Sequence, residues 1–197
     1  MANDTRIPKA ELTGMLGAAV TRLARRRLGD LPEAFAAMWH NRKVLKKNFG
    51  IVQKGQRCDD CDENLKSFAH MEVASLVGCS MCLDLGYFQA YNEGLDVDKA
   101  REVPRWRESE LFTPLERDGM EYAEAMSQTV PTVSNELSAR LLEQLGAPAL
   151  VELTAYIAPA NFTGRVHTAA GVTSQGFSDS CVVPPPATPS SDLRSSA

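Results

Sequence analysis

Hydrophobic positions along this chain recur at intervals of three and four residues, and no stretch shows a convincing alternation. Glu11 to Leu28 carries Leu12, Leu16, Ala19, Val20 and Leu23 at helical spacing. Gly29-Asp30 breaks that run, and Pro32 suits the first turn of a second helix, read over residues 32–49. Asp62 can cap a third helix with the stripe Leu65, Phe68, Ala69, Val73, Leu76 and Val77. A fourth begins at Gly78-Cys79-Ser80-Met81-Cys82 and stops at Gly94, and a short one follows from Leu95 towards Val103. Thr113-Pro114-Leu115-Glu116 combines a cap, a first-turn proline and a glutamate in capping-box position. Ser134 caps a further helix with Leu137, Leu141, Leu142 and Leu145 inward. Gly146 and Pro148 separate it from a long segment starting near Ala149, striped by Leu150, Leu153, Thr154 and Ile157. The pattern predicts an all-α chain. Its expected divisions are a helical lead-in (1–30), one helical domain (31–176) and a disordered Pro/Ser-rich tail (177–197) that cannot bury a core.

Composition narrows the function classes. The 197 residues are 44% hydrophobic and 23% charged, enough for one good core. A formal net charge of -4 offers no basic excess for nucleic acid. Arg22, Arg25, Arg26 and Arg27 cluster on an amphipathic segment and read as a solvated helix face. No stretch approaches the ~20 apolar residues of a membrane span, and Met1 to Lys9 lacks the apolar core of a signal peptide. The expected address is cytoplasmic, with no membrane or nucleic-acid partner. Five cysteines in a reducing compartment point to catalysis or metal binding before structural disulfides.

The strongest chemical signal is the pair Cys79 and Cys82. Cysteines in the first turn of a helix face its unpaired N–H groups and positive dipole end, which favour the nucleophilic thiolate. The second thiol can then close a disulfide on the first. Glu72 falls at the centre of the preceding apolar stripe, so it needs a partner or a raised pKa. A salt bridge at a helix or subunit contact and a proton-handling role near the thiols are both open to it. His70, to one side of the same stripe, reads as a surface or interface residue or as a base.

The run Cys79-Ser-Met-Cys82, the following Gly94-Leu95, the segment "LERDGMEYAEAMS" (115–127) and "LVELTAYIAPANFTGR" (150–165) together resemble the carboxymuconolactone decarboxylase family, including its AhpD-like alkylhydroperoxidases. The resemblance covers residues 30–175 and is strongest over 65–170. It implies an AhpD-like helical bundle that assembles as a homo-oligomer (dimer, trimer or hexamer); no cofactor or metal is expected. It also implies that Cys82 attacks a hydroperoxide, that Cys79 resolves the product to a disulfide, and that a dithiol reductant protein restores the pair. The family's proton relay falls on Ser67, Met81 and Gly86, so all three relay groups are missing. Asp84 and Glu72, with His70 behind them, are the candidate substitutes, because thiolate formation and peroxide cleavage need a proton acceptor and donor. For Asp84 the simpler alternative is an acid that stabilises a helix N-terminus. Asn161 and Arg165 are expected to be structural or interface residues.

Two rival readings accompany this one. Cys58-x-x-Cys61, seventeen residues and then Cys79-x-x-Cys82 fit the spacing of a four-cysteine zinc site in a binding module. Against it, a seventeen-residue helix is about 25 Å long and would hold the pairs apart. Cys58 and Cys61 could otherwise form a second redox pair or two unpaired thiols. The other rival is a catalytically idle helical oligomer that keeps the fold.

Overall fold

From Asp62 onward, the α-helices begin at side-chain caps that the sequence supplies. The computed structural model describes residues 5–55 and 57–181, so the expected Pro184-Pro185-Pro186 tail lies outside the described residues. The chain forms α1 (Gly14–Leu28), α2 (Glu33–Met38), α3 (Arg42–Gly55), α4 (Glu63–Leu76), α5 (Ser80–Asn92), α6 (Val97–Glu102), α7 (Pro114–Ser127) and α8 (Asn135–Ala170). Short 3-10 turns lie at Trp39–Asn41, Val103–Arg105 and Phe177–Cys181. No strand occurs among the described residues.

The caps use the side chains that the sequence nominated. Asp62 accepts from Leu65 N, Ser134 accepts from Leu137 N, and Thr113 with Glu116 completes a capping box. Gly146 adopts φ 75° and breaks α8 into two helical stretches, as its place before Pro148 foretold. Two expectations need correction. The helix read over 32–49 is instead α2, a 3-10 turn and α3, which continues to Gly55. Phe177, placed at the start of a disordered tail, is buried and opens a 3-10 turn.

α4 organises the core because both of its flanks are apolar. Phe68, Met71 and Ala74 pack with Met81, Tyr87, Trp106, Phe112 and Met120, while Leu65, Ala69 and Val73 pack with Ala123, Leu141, Leu153 and Ile157. Burying side chains of this size contributes about 1.5–3 kcal/mol each relative to exposure. α7 closes on α4 at Gly119, where an added Cβ would lie 2.5 Å from Leu65 Cδ1. Lys66 is fully buried on α4 and reaches Glu152 Oε1 on α8 at 2.7 Å. Glu152 Oε2 also accepts from the N–H groups of Asp60 and Cys61, so this ion pair pins the turn before α4.

Candidate active site

The turn between α4 and α5 places the cysteines. Gly78 has φ 68°, its N–H donates to Ser75 O, and Cys79 N–H donates to Ala74 O, the pair of hydrogen bonds that ends a helix on a left-handed glycine. The same Cys79 is the N-cap of α5 and its sulfur accepts from Cys82 N at 3.3 Å. One residue therefore ends the closure of α4 and opens α5. Cys79 and Cys82 are joined as a disulfide, with Cα atoms 5.2 Å apart. Cys79 is fully enclosed, whereas Cys82 retains 6% exposure.

A third group faces the sulfurs, from a helix remote in sequence. His167 Nδ1 lies 3.5 Å from Cys82 Sγ and 3.9 Å from Cys79 Sγ. It arrives there because Gly164, one turn earlier on the same face of α8, has no side chain. A Cβ at Gly164 would meet Val77 Cγ2 at 2.6 Å and Cys79 Cβ at 3.8 Å. Thr168 Oγ1 completes the contact by donating to Val77 O at 3.3 Å. Burial, with the nearby His70 adding to it, depresses His167 to a pKa of about 4 beside the uncharged disulfide. Its imidazole is then neutral at pH 7 and keeps one acceptor nitrogen.

The nominated relay residues have other surroundings. Asp84 is buried on α5, and Ser174 Oγ and the backbone N–H groups of Gln175, Gly176, Phe177 and Ser178 all donate to its carboxylate. Burial alone would raise its pKa, but the bonds from Ser178, Ser174 and Phe177 outweigh burial and lower it. Both oxygens are engaged with the 174–178 segment. Glu72 is buried between α4 and α7, bonded to Trp106 and facing Glu124 and Arg107. Burial raises its pKa to about 7, against the opposing Trp106 bond. His70 sits edge-on to the Tyr156 ring at 6.1 Å and lines a small cleft with Ile51, Val52 and Thr163. Burial lowers its pKa to about 4.

The positions where the resemblance places a relay hold no imidazole. A Cβ at Gly86 would lie 2.8 Å from Met71 Cγ, so Met71 fills the space of any side chain there. Ser67 Oγ contacts Met71 Sδ at 3.9 Å, and Met81 is buried in the core. His167 was missed in the sequence because it lies 85 residues from Cys82. One signal could have found it. The chain has three histidines, so few imidazoles were available to meet the thiols.

The four-cysteine zinc reading is overturned. Among the described residues, the one group of metal-competent side chains is Cys79, Cys82 and His167, without Cys58 or Cys61. Cys61 is buried, and burial followed by the charge of Glu152 raises its thiol to about 11. Cys58 is exposed. On α8, Asn161 Nδ2 donates to Ser127 Oγ and Arg165 to Ser127 O, tying that helix to the end of α7.

A helical bundle that sets a cysteine pair at the start of a central helix defines the class here: the chain has the AhpD-like fold. It superposes on an alkylhydroperoxidase AhpD core protein, an uncharacterized peroxidase-related protein from Ralstonia eutropha JMP134, with a TM-score of 0.72 at 12% identity, covering 88% of this chain and 94% of that one. It also superposes on a cysteine-to-alanine variant of the debrominase Bmp8 in complex with 2,3,4-tribromopyrrole, with a TM-score of 0.74 at 19% identity over 87% and 94% of the two chains. In sequence it is 36% identical to the uncharacterized protein YnjA of Escherichia coli (strain K12) over 123 residues. That match spans 62% of this chain and 66% of YnjA, just short of two thirds of the relative. No family model matches the chain. The fold family includes an enzyme, and no helix among the described residues is long and apolar enough to cross a membrane.

Proposed function

We propose that the chain is a thiol-dependent peroxidase in which Cys82 is the attacking thiol, Cys79 the resolving thiol and His167 the proton carrier. The observation that carries this reading is the 3.5 Å approach of His167 Nδ1 to Cys82 Sγ. Two helix ends of opposite polarity support the pair. Cys82 lies in the first turn of α5, which favours an anion, and His167 lies in the last turn of α8, which favours a cation. When the disulfide is reduced, the neutral imidazole takes the Cys82 proton, and the thiolate beside it stabilises the imidazolium. Cys82 sulfur then attacks the terminal peroxide oxygen. The O–O bond breaks, His167 returns the proton to the departing alkoxide, and an alcohol and a sulfenic acid result. Cys79 displaces water from the sulfenic acid to give the disulfide. An external dithiol, of the protein class that exchanges disulfides, restores the pair.

The residual exposure of Cys82 and the enclosure of Cys79 favour this order of attack. The test is intact mass after stoichiometric cumene hydroperoxide. The reduced chain should lose two hydrogens, Cys79→Ser should stop at a sulfenic acid, and His167→Gln should slow the oxidation by about 10²–10⁴-fold. No oxidation of the reduced chain would overturn the reading.

The likeness to a debrominase supports a second reading, in which the same dithiol reduces a carbon–bromine bond. The products would be the debrominated compound, bromide, a proton and the disulfide. Bromide release from tribromopyrrole by the reduced chain, without consumption of peroxide, would favour it over the first.

A further inference from the structure

The three site residues have a second capability that redox cycling does not use. Their ligand atoms, two sulfurs and Nδ1, all lie within 4.8 Å of one another. In a tetrahedral zinc site with Zn–S of about 2.3 Å and Zn–N of about 2.05 Å, the sulfur–nitrogen edge is about 3.6 Å. The observed edges are 3.5 and 3.9 Å. The imidazole is thus already at ligand distance from both sulfurs. Once the disulfide is opened, rotation about the cysteine side chains separates the sulfurs towards the roughly 3.8 Å edge that such a site needs.

We propose that the reduced site binds one thiophilic divalent cation of the Zn²⁺ class per chain, through Cys79 Sγ, Cys82 Sγ and His167 Nδ1, and that disulfide formation expels it. Two thiolates and a neutral imidazole make a borderline-soft donor set suited to zinc, and three protein ligands leave the fourth position open. The first turn of α5 offsets the negative charge of the two thiolates. Binding converts two thiols to thiolates and releases two protons. Oxidation by a hydroperoxide consumes two protons, forms the S–S bond, and yields an alcohol, water and the free cation. A bound cation occupies the sulfur electron pairs that attack peroxide, so it holds the pair in a protected, reduced form.

The proposal rests on the redox reading only for the cycling of the pair between dithiol and disulfide. It is tested by titrating Co²⁺ into the full chain, reduced with a phosphine and desalted without oxygen. One equivalent should bind with a sulfur-to-cobalt charge-transfer band and the visible bands of a tetrahedral ion, and Zn²⁺ should bleach both. The band should be absent from diamide-oxidised protein and from Cys79→Ser, and unchanged in Cys58→Ser. His167→Gln should weaken binding at least roughly tenfold, as loss of a ligand requires. Absence of the band in the reduced chain, its survival in Cys79→Ser, or unaltered affinity in His167→Gln overturns the metal site. Failure of the peroxidase reading is separate: the band forms normally, while cumene hydroperoxide leaves the mass of the metal-free chain unchanged.

Discussion

The buried carboxyl of Glu72 shows how one residue makes the fold sensitive to pH. It retains 4% exposure, and burial raises its pKa from the ordinary 4.5 to about 7. Trp106 bonds the carboxyl, Arg107 attracts its charged form and Glu124 repels it, yet desolvation dominates. The proton is therefore held more tightly in the folded chain than in the unfolded one. Stability from this group is fully present below pH 4.5 and is lost as pH rises through 7. At 1.36 kcal/mol per pKa unit the loss is at most about 3 kcal/mol. Urea unfolding of wild type and Glu72→Gln at pH 5 and pH 8 should show the variant gaining relative to wild type at the higher pH. An equal difference at both values would refute the assignment. The position was legible as an acid in an apolar stripe. Its partners were not, because Trp106 and Glu124 reach it from other elements.

Among the helices, α8 takes its place through the absence of one side chain. Gly164 lets it lie against Val77 and Cys79, and that approach carries His167 to the sulfurs. A valine at position 164 would drive branched carbons into Val77, so α8 must shift outward. Overpacking of this kind costs about 1–3 kcal/mol. Gly164→Val should therefore lower the melting temperature and slow alkylation of Cys82 by iodoacetamide in the reduced chain, since the imidazole withdraws from the thiol. Normal alkylation in a destabilised variant would separate packing from catalysis. Helix starts, by contrast, were readable at Asp62, Thr113 and Ser134, where each cap joins residues three apart. The same locality exposed the cysteine pair at the head of α5.

At the scale of the molecule, Asp84 joins the centre of the chain to its far end. Its carboxylate gathers donors from residues 90 to 94 positions away. Nearby, Gln175 Oε1 accepts from Glu33 N, and Gln175 Nε2 donates to Leu31 O, so the 174–178 segment also holds the chain ahead of α2. Asp84→Asn removes the charge and turns a donor towards N–H groups. A loss of about 2–4 kcal/mol is expected, given about 1.5–3 kcal/mol for hydrogen bonds to charged groups. The proteolytic susceptibility of residues 171–181 should rise while the Cys82 thiol pKa, read by alkylation against pH, stays put. A large change in that pKa would return Asp84 to the proton relay.

Every feature determined by the sequence alone is carried by neighbours along one helix. Apolar spacing made the chain helical, capping residues and glycines divided it, and Cys79-x-x-Cys82 marked the head of α5. The tertiary structure decided which remote groups meet that head. It brought His167 to the sulfurs across 85 and 88 residues, directed Asp84 to the 174–178 segment, and left Cys58 and Cys61 out of the cluster. The physical reason is that caps and stripes act over one helical turn. A contact between helices depends on how closely their surfaces can approach, and here Gly164 and Met71 set that distance.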